Sequence, residues 1–378
     1  MKWAIRLIFK NSNKRWSTLS VQEQKPYVDA THKTVRTVFV ALLVDLFAFT
    51  LILPLFPRLL NYYRHNNQQG IILSYASQLL EQFKQVTHRH AGSDKWDTVL
   101  LGGLVGSLFS LLQFIVSPII GRTSDRLGRR TVLLYTMVGN LLSTLIWLFA
   151  HSFNWFLLAR VIGGLSEGNV QLSTAIISDI TTPDQRSKSL ALVGIAFATA
   201  FTLGPPMGAW FASIDLSSYP SLIQFGIYPY SMAAFVGLAL LIVETIYLYF
   251  KLPETLQRRN EQASSVNLVS LNRIMGIFSF VFSGMEFTLV FLTFDVLDFS
   301  HMQQGKLLSY MGIASALIQG GYVRRCIQKG EKSMVLQGMV MCILGFYCLA
   351  ATADASYPLA WLYGGVSCLA FTSGTVVS

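Results

Sequence analysis

Gly121-Arg122-Thr123-Ser124-Asp125-Arg126-Leu127-Gly128-Arg129-Arg130 is the stretch that decides how the rest of the chain is read. Ten residues hold four arginines, one aspartate and two glycines, and long apolar runs flank them on both sides. Glycine permits a tight turn where the chain leaves and re-enters a hydrophobic layer. Asp125 can bind the neighbouring arginines and a helix N-terminus, which predicts a charge-assisted latch between helical bundles.

The flanking runs are Val99–Ile120 and Thr131–Ala150, each long enough to cross about 30 Å of hydrocarbon as a helix. Eight more follow the same rule: Val35–Leu60, Trp155–Ile177, Leu190–Phe211, Tyr230–Phe250, Ile274–Phe294, Leu307–Tyr322, Met334–Ala351 and Tyr357–Val377. The apolar fraction is 52% and the charged fraction 13%. A water-soluble domain carries about 25% charged residues and cannot hide so much apolar surface. The chain is therefore expected to be an all-α polytopic membrane protein of about ten spans, with the lipid bilayer as solvent.

A net charge of +10 raises the question of nucleic acid, and the distribution of the charges answers it. With the N-terminus in the cytoplasm, the basic residues gather in the tail (Lys2 to Arg36), in the signature loop, and around Arg186, Arg258, Arg273 and Arg324. The opposite side keeps Arg64, Lys84, Arg89, Lys95 and Lys306. That asymmetry is the positive-inside bias, so the basicity belongs to topology and no nucleic-acid partner is expected.

Cys326, Cys342, Cys348 and Cys368 lie in or beside late spans without metal-type spacing and read as small buried residues. His88 and His90 sit in a polar loop and read as solvated. No zincin helix, Walker loop or nucleophile elbow is present, so neither an enzyme nor a cofactor is expected. Residues 1–34 read as a basic cytoplasmic tail, 35–251 as a six-helix bundle, 252–271 as a cytoplasmic linker and 272–378 as a partial second bundle.

Several spans carry polar residues at helical spacing, which places them on one face. The second has Gly103, Gly106, Ser110, Gln113 and Ser117; the fourth Arg160, Gly164, Glu167 and Gln171; the seventh Ser279, Ser283, Glu286 and Thr293. Charged residues at mid-bilayer cost about 2.5–3.5 kcal/mol on insertion scales and normally face a bundle interior or wet cavity. Asp45, Gln113, Arg160, Glu167, Gln171 and Glu286 are the candidates for substrate binding or proton coupling. Asp45 and Glu286 are the candidate proton carriers, since low dielectric disfavours a charged carboxylate. Arg160 and Glu167 stand about 10 Å apart along a helix axis, which predicts a shared wet cavity and not a direct pair.

The ten-residue loop resembles the G-x-x-x-D-R-x-G-R-R signature of the major facilitator superfamily, between the second and third spans as that family requires. Further matches agree. Arg160-Val161-Ile162-Gly163-Gly164 resembles the fourth-span R-x-x-x-G element, and Leu252-Pro253-Glu254-Thr255 ends the sixth span as in many members. Ala200 to Ala209 resembles the fifth-span antiporter motif, with Gly204, Pro205 and Gly208 at its key positions. Asp45, Pro54 and Pro57 are similar to the first span of bacterial tetracycline–proton antiporters. Asp45–Pro57, Gly121–Arg130 and Leu165–Asp179 resemble the animal tetracycline-transporter-like members of this branch. The resemblance implies a twelve-helix transporter fold, about ten of whose helices are present, and alternating access. It further implies organic anions or drug-like compounds as substrates, by proton-coupled antiport or by exchange. Ser143 stands where bacterial tetracycline pumps carry an acid, which argues against metal–tetracycline export. The missing helices imply that this chain is a short or incomplete form that does not transport by itself, the alternative function being a truncated or regulatory product.

Overall fold

The computed structural model describes residues 21–66, 94–214, 230–256, 268–323, 331–353 and 356–377, with a few positions between 74 and 82. The described residues are helical throughout their regular elements. In chain order they are α1 (Val21–Thr50), α2 (Phe56–Asn66), α3 (Asp94–Leu127), α4 (Arg129–Leu148), α5 (Phe153–Ser166) and α6 (Asn169–Ile180). Then come α7 (Pro183–Ala212), α8 (Ser231–Lys251), α9 (Leu268–Asp295), α10 (His301–Leu317), α11 (Glu331–Ala351) and α12 (Pro358–Thr372). Short π-helical turns extend α10 to Val323 and α12 to Val377.

Each expected span is present as helix, but two are broken. The first is interrupted between Thr50 and Phe56 by the 3₁₀ turn Leu53–Leu55. Pro54 and Pro57 have no N–H to donate, so the α-helical ladder cannot run through them. The fourth span was expected as one helix over Trp155–Ile177. Instead α5 ends at Ser166, Glu167 is extended and α6 starts after Gly168. Gly168 packs against the Ile120 side chain, where an added Cβ would fall 3.0 Å from it. The single polar face drawn through Arg160, Glu167 and Gln171 is therefore two faces, one on each half-helix. Among the described residues, seven stretches are long and apolar enough by themselves to cross a membrane, and the broken fourth span is not one of them. Boundaries also move: α1 begins inside the expected tail, and α9 begins at Leu268, inside the expected linker.

Large apolar side chains point outward at mid-helix, Phe114 at 76% and Phe280 at 82% exposure. In water such faces would aggregate; in lipid they are at home. Inside, one cluster around Tyr63, Phe153 and Phe156 fills the end of the first six spans away from the signature loop, called here the far end. A second around Met137, Leu172, Ile176 and Leu248 fills the signature end. The later helices build their own core around Leu307, Leu362 and Leu369. Within it α11 and α12 cross at Gly345 and Gly365, each of which lies close to the other's carbonyl. Small residues allow that approach where lipid supplies no hydrophobic drive between helices.

The early and late helices meet mainly along α7 and α10. Pro206 lacks an N–H, so the Thr202 carbonyl loses its helical donor; the Ser309 hydroxyl of α10 donates to it instead. Gly305 rests on the Pro205 carbonyl and Gly312 on Thr202. At the far end the Phe291 ring of α9 covers Gly102, where no Cβ fits, and stands edge-on to Phe56 with centroids 5.9 Å apart.

Candidate functional site

The signature loop forms a compact charge network. Gly128 ends α3 with φ of 108°, a value that favours glycine. An added Cβ there would also strike the Glu254 carboxylate. Glu254 accepts from the Arg129 N–H at 2.8 Å and from Thr255 and Leu256, which fixes the chain after α8 onto the loop. The Arg129 guanidinium reaches Asp125 at 2.7 Å and Asp179 at 2.8 Å, and donates to Ser124. Arg130 donates to the Tyr249 carbonyl at 2.6 Å.

One feature of the network is new and one corrects the sequence reading. The hub of the network is Arg129, whereas Arg126 is exposed and makes no hydrogen bond or ion pair among the described residues. The contacts of Asp125 and its neighbours lie within residues 121–256, so the latch drawn between bundles is, among the described residues, a clasp within the first six spans. Gly121 has open space around its Cα. Arg129→Gln leaves Asp179, a quarter exposed, without its cation. Breaking a buried pair costs about 3–5 kcal/mol, and partial exposure discounts that to about 2. Asp125→Asn breaks an exposed pair worth about 0.5 kcal/mol. Thermal unfolding in detergent should therefore show a clear fall for Arg129→Gln and almost none for Asp125→Asn.

Deeper in the bundle, two cavities share a wall made of Phe49, Ile52, Phe109 and Arg160. The smaller, about 80 Å³, is lined by Asp45, Asn140, Ser143, Arg160 and Glu167 inside the first six spans. Asp45 of α1 is 6% exposed and accepts from Asn169 at 2.9 Å; Asn169 in turn accepts from Thr136 at 3.0 Å. Glu167 accepts from Asn140 at 3.4 Å. Both carboxylates thus sit at the N-terminal end of α6, where unpaired N–H groups and the helix dipole favour negative charge.

The larger cavity, about 190 Å³, lies between the early and late helices. Its walls are aromatic, with Phe49, Phe109, Phe201 and Phe291, and its polar atoms come from Ser110, Gln113 and Arg160. Arg160 therefore opens onto both spaces. Gly163 presses α5 against Ser143 of α4 and Gly164 presses it against α3, with an added Cβ at Gly164 only 2.9 Å from the Phe109 carbonyl. That contact stacks the Arg160 guanidinium 4.3 Å from the Phe109 ring centroid. The guanidinium makes no hydrogen bond or ion pair among the described residues, and its buried Nε has no acceptor. Glu167 acts on it through space.

Of the other expected residues, Gln171 accepts from Ser117 at 2.7 Å on an exposed face, away from both cavities. The side chain of Glu286 lies outside the described residues. Gly204 and Gly208 seat α7 on α1, at Thr50 and the Leu51 carbonyl. Thr50 donates to the Ala200 carbonyl at 3.1 Å. Two contributors escaped the sequence reading. Glu244 of α8 is 3% exposed, close enough to Asp45 and Glu167 to feel both charges. His301, at the far end, donates from Nδ1 to the Pro54 carbonyl at 2.9 Å. Burial holds its imidazole below the ordinary value; the Pro54 bond opposes this and the charge of Arg58 adds to it.

Comparison with known proteins places this geometry. The family model described as Major Facilitator Superfamily matches residues 38–378. Major facilitator superfamily domain-containing protein 10 of Mus musculus is 35% identical over 85% of this chain and 74% of its own length. The class B tetracycline resistance protein of Escherichia coli is 25% identical over 67% of this chain and 63% of its own. Among solved structures, the human organic anion transporter MFSD10 superposes with a TM-score of 0.75 at 32% identity, covering 92% of this chain and 84% of that one. The chain is an integral, multi-pass membrane protein that belongs to the Major Facilitator Superfamily, a family of transporters.

Proposed function

We propose, in place of the non-transporting short form that the helix count implied, that the chain carries small organic anions by alternating access, with a proton linked to each anion. One observation carries this reading: Arg160 presents an unpaired guanidinium to an aromatic cavity between the early and late helices. A buried cation without a partner is costly unless something completes it. A carboxylate or sulfonate fits the planar fork of arginine, and the Phe rings accept the apolar body of the same molecule. At about 190 Å³ the cavity is below the roughly 300–1,000 Å³ of drug-sized sites, which favours one- or two-ring acids. The likeness to the human organic anion transporter MFSD10 points the same way.

The second cavity supplies the proton link. On this reading Asp45 and Glu167 hold protons, and Glu167 and the bound anion draw on the same guanidinium. An ionised Glu167 competes with the anion, whereas a protonated one does not. Proton and anion therefore bind together. Of the two modes implied by the branch, antiport and exchange, this linkage favours exchange of proton-loaded anions. The signature end is assigned to the cytoplasm by the positive-inside bias. Glu286 stays a candidate for the second half on sequence grounds, and the Gly204-Pro205 segment for the seam along which the bundles rock.

The test is purified chain in liposomes, preloaded or not with unlabelled naphthoate, and assayed for tritiated naphthoate. Saturable uptake that preloading accelerates is the expected result. Uptake that is unsaturable and indifferent to preloading would overturn the proposal.

A further inference from the structure

We propose that Glu244 is the third proton-carrying carboxylate of the small cavity's cluster, and that it passes the proton between Asp45 and Glu167 and the signature end. The inference rests on the proton-linked reading above. Glu244 projects from α8 and is 3% exposed, so water does not stabilise its charge. Its Oε2 has no donor, and neither oxygen has a hydrogen bond among the described residues. The titratable groups that act on it are Asp45 of α1 and Glu167 at the α5–α6 break, both acidic; from α4 and α7, which also pack on α8, none does. An ionised Glu244 would stand beside two like charges with nothing to offset it. Structural needs do not explain it, since a leucine or glutamine fills the same space without that burden.

Depth along the bundle gives the cluster a direction. Asn140, which holds Glu167, lies about 16 Å from Arg129 along α4 by helical rise. Thr136, whose partner Asn169 holds Asp45, lies about 10 Å from it. Glu244 lies about 10 Å from Lys251, where α8 reaches the signature end. Arg160 and Glu167 thus lie nearer the aromatic cavity, and Asp45 and Glu244 share a depth nearer the signature loop. In each step a proton leaves the carboxyl oxygen of one acid and joins the carboxylate of the next, so donor and acceptor exchange charge and nothing else changes. The last acceptor is water from the signature end, which reaches Glu244 when the apolar cluster around Leu248 parts. Glu244 would let the cluster load and unload when the anion cavity is closed to that side.

Glu244→Gln removes the transferable proton and keeps the volume. In liposomes of the full chain, counterflow of tritiated naphthoate at equal pH needs no net proton movement, whereas uptake driven by an imposed pH gradient does. Wild type is expected to show both. Glu244→Gln should keep counterflow within about twofold and lose at least tenfold of gradient-driven uptake, and Glu244→Asp should restore most of it. Gradient-driven uptake by Glu244→Gln equal to wild type overturns the assignment. So does equal loss of both assays in Glu244→Gln and Glu244→Asp, which marks a packing role. A wild type indifferent to the gradient instead refutes the proton-linked reading itself.

Discussion

Arg160→Gln is expected to weaken binding of naphthoate by about 30-fold or more, with the protein still folded. Removing one partner from a buried charge pair costs about 2–5 kcal/mol, and 2 kcal/mol is about 30-fold in affinity. Stability should change little or rise, because the guanidinium that is lost has no protein acceptor. Arg160→Lys keeps the charge but loses both the planar fork and the stacking on Phe109, so it should recover only part of the affinity. Isothermal titration in detergent measures all three proteins. Full affinity in Arg160→Gln would remove Arg160 from the anion site.

The second large effect belongs to the seam between early and late helices. An added Cβ at Gly312 would lie 2.6 Å from the Thr202 hydroxyl and 2.7 Å from its backbone nitrogen. Backbone cannot yield as a side chain does, so Gly312→Val forces α10 off α7. Overpacking of this kind costs about 1–3 kcal/mol. It also separates Ser309 from the carbonyl that Pro206 leaves free. Naphthoate counterflow should fall at least tenfold. The same substitution at Gly276, which has nothing within 4 Å, should leave it unchanged. Equal behaviour of the two variants would show that close contact of α7 and α10 is not needed for the cycle.

The sequence made the membrane character, the helical passages and the family legible, because each rests on residues close together in the chain. Apolar runs of spanning length and a ten-residue loop need no tertiary knowledge. Breaks in helices were harder. Pro54 and Pro57 announced the first, but Glu167 and Gly168 are compatible with a helix by themselves, and their break is visible only with Ile120 packed against Gly168. The same limit explains the latch. Arg129 outranks Arg126 because Asp179 and Glu254, distant in sequence, converge on it. Gln171 was placed in the site by a helical period that the break interrupts. Glu244 was overlooked for the opposite reason: it stands alone in an apolar span, with no polar neighbour at helical spacing to mark a face. An isolated acid in a spanning run is itself a signal. Arg160 was read as sharing a wet cavity with Glu167, and both residues line the smaller one; its second opening, toward Phe201 and Phe291, depends on how the two sets of helices meet.

Proton uptake on anion binding tests the account most directly. Naphthoate is titrated into the purified chain near neutral pH in two buffers of different ionisation enthalpy, and the difference in heat gives the protons exchanged per anion bound. By linkage, an anion that draws Arg160 away from Glu167 leaves that carboxylate to take a proton. The account predicts net uptake of up to about one proton per anion, abolished in Glu167→Gln while binding persists. Release of protons on binding, or an uptake that Glu167→Gln leaves intact, would contradict it.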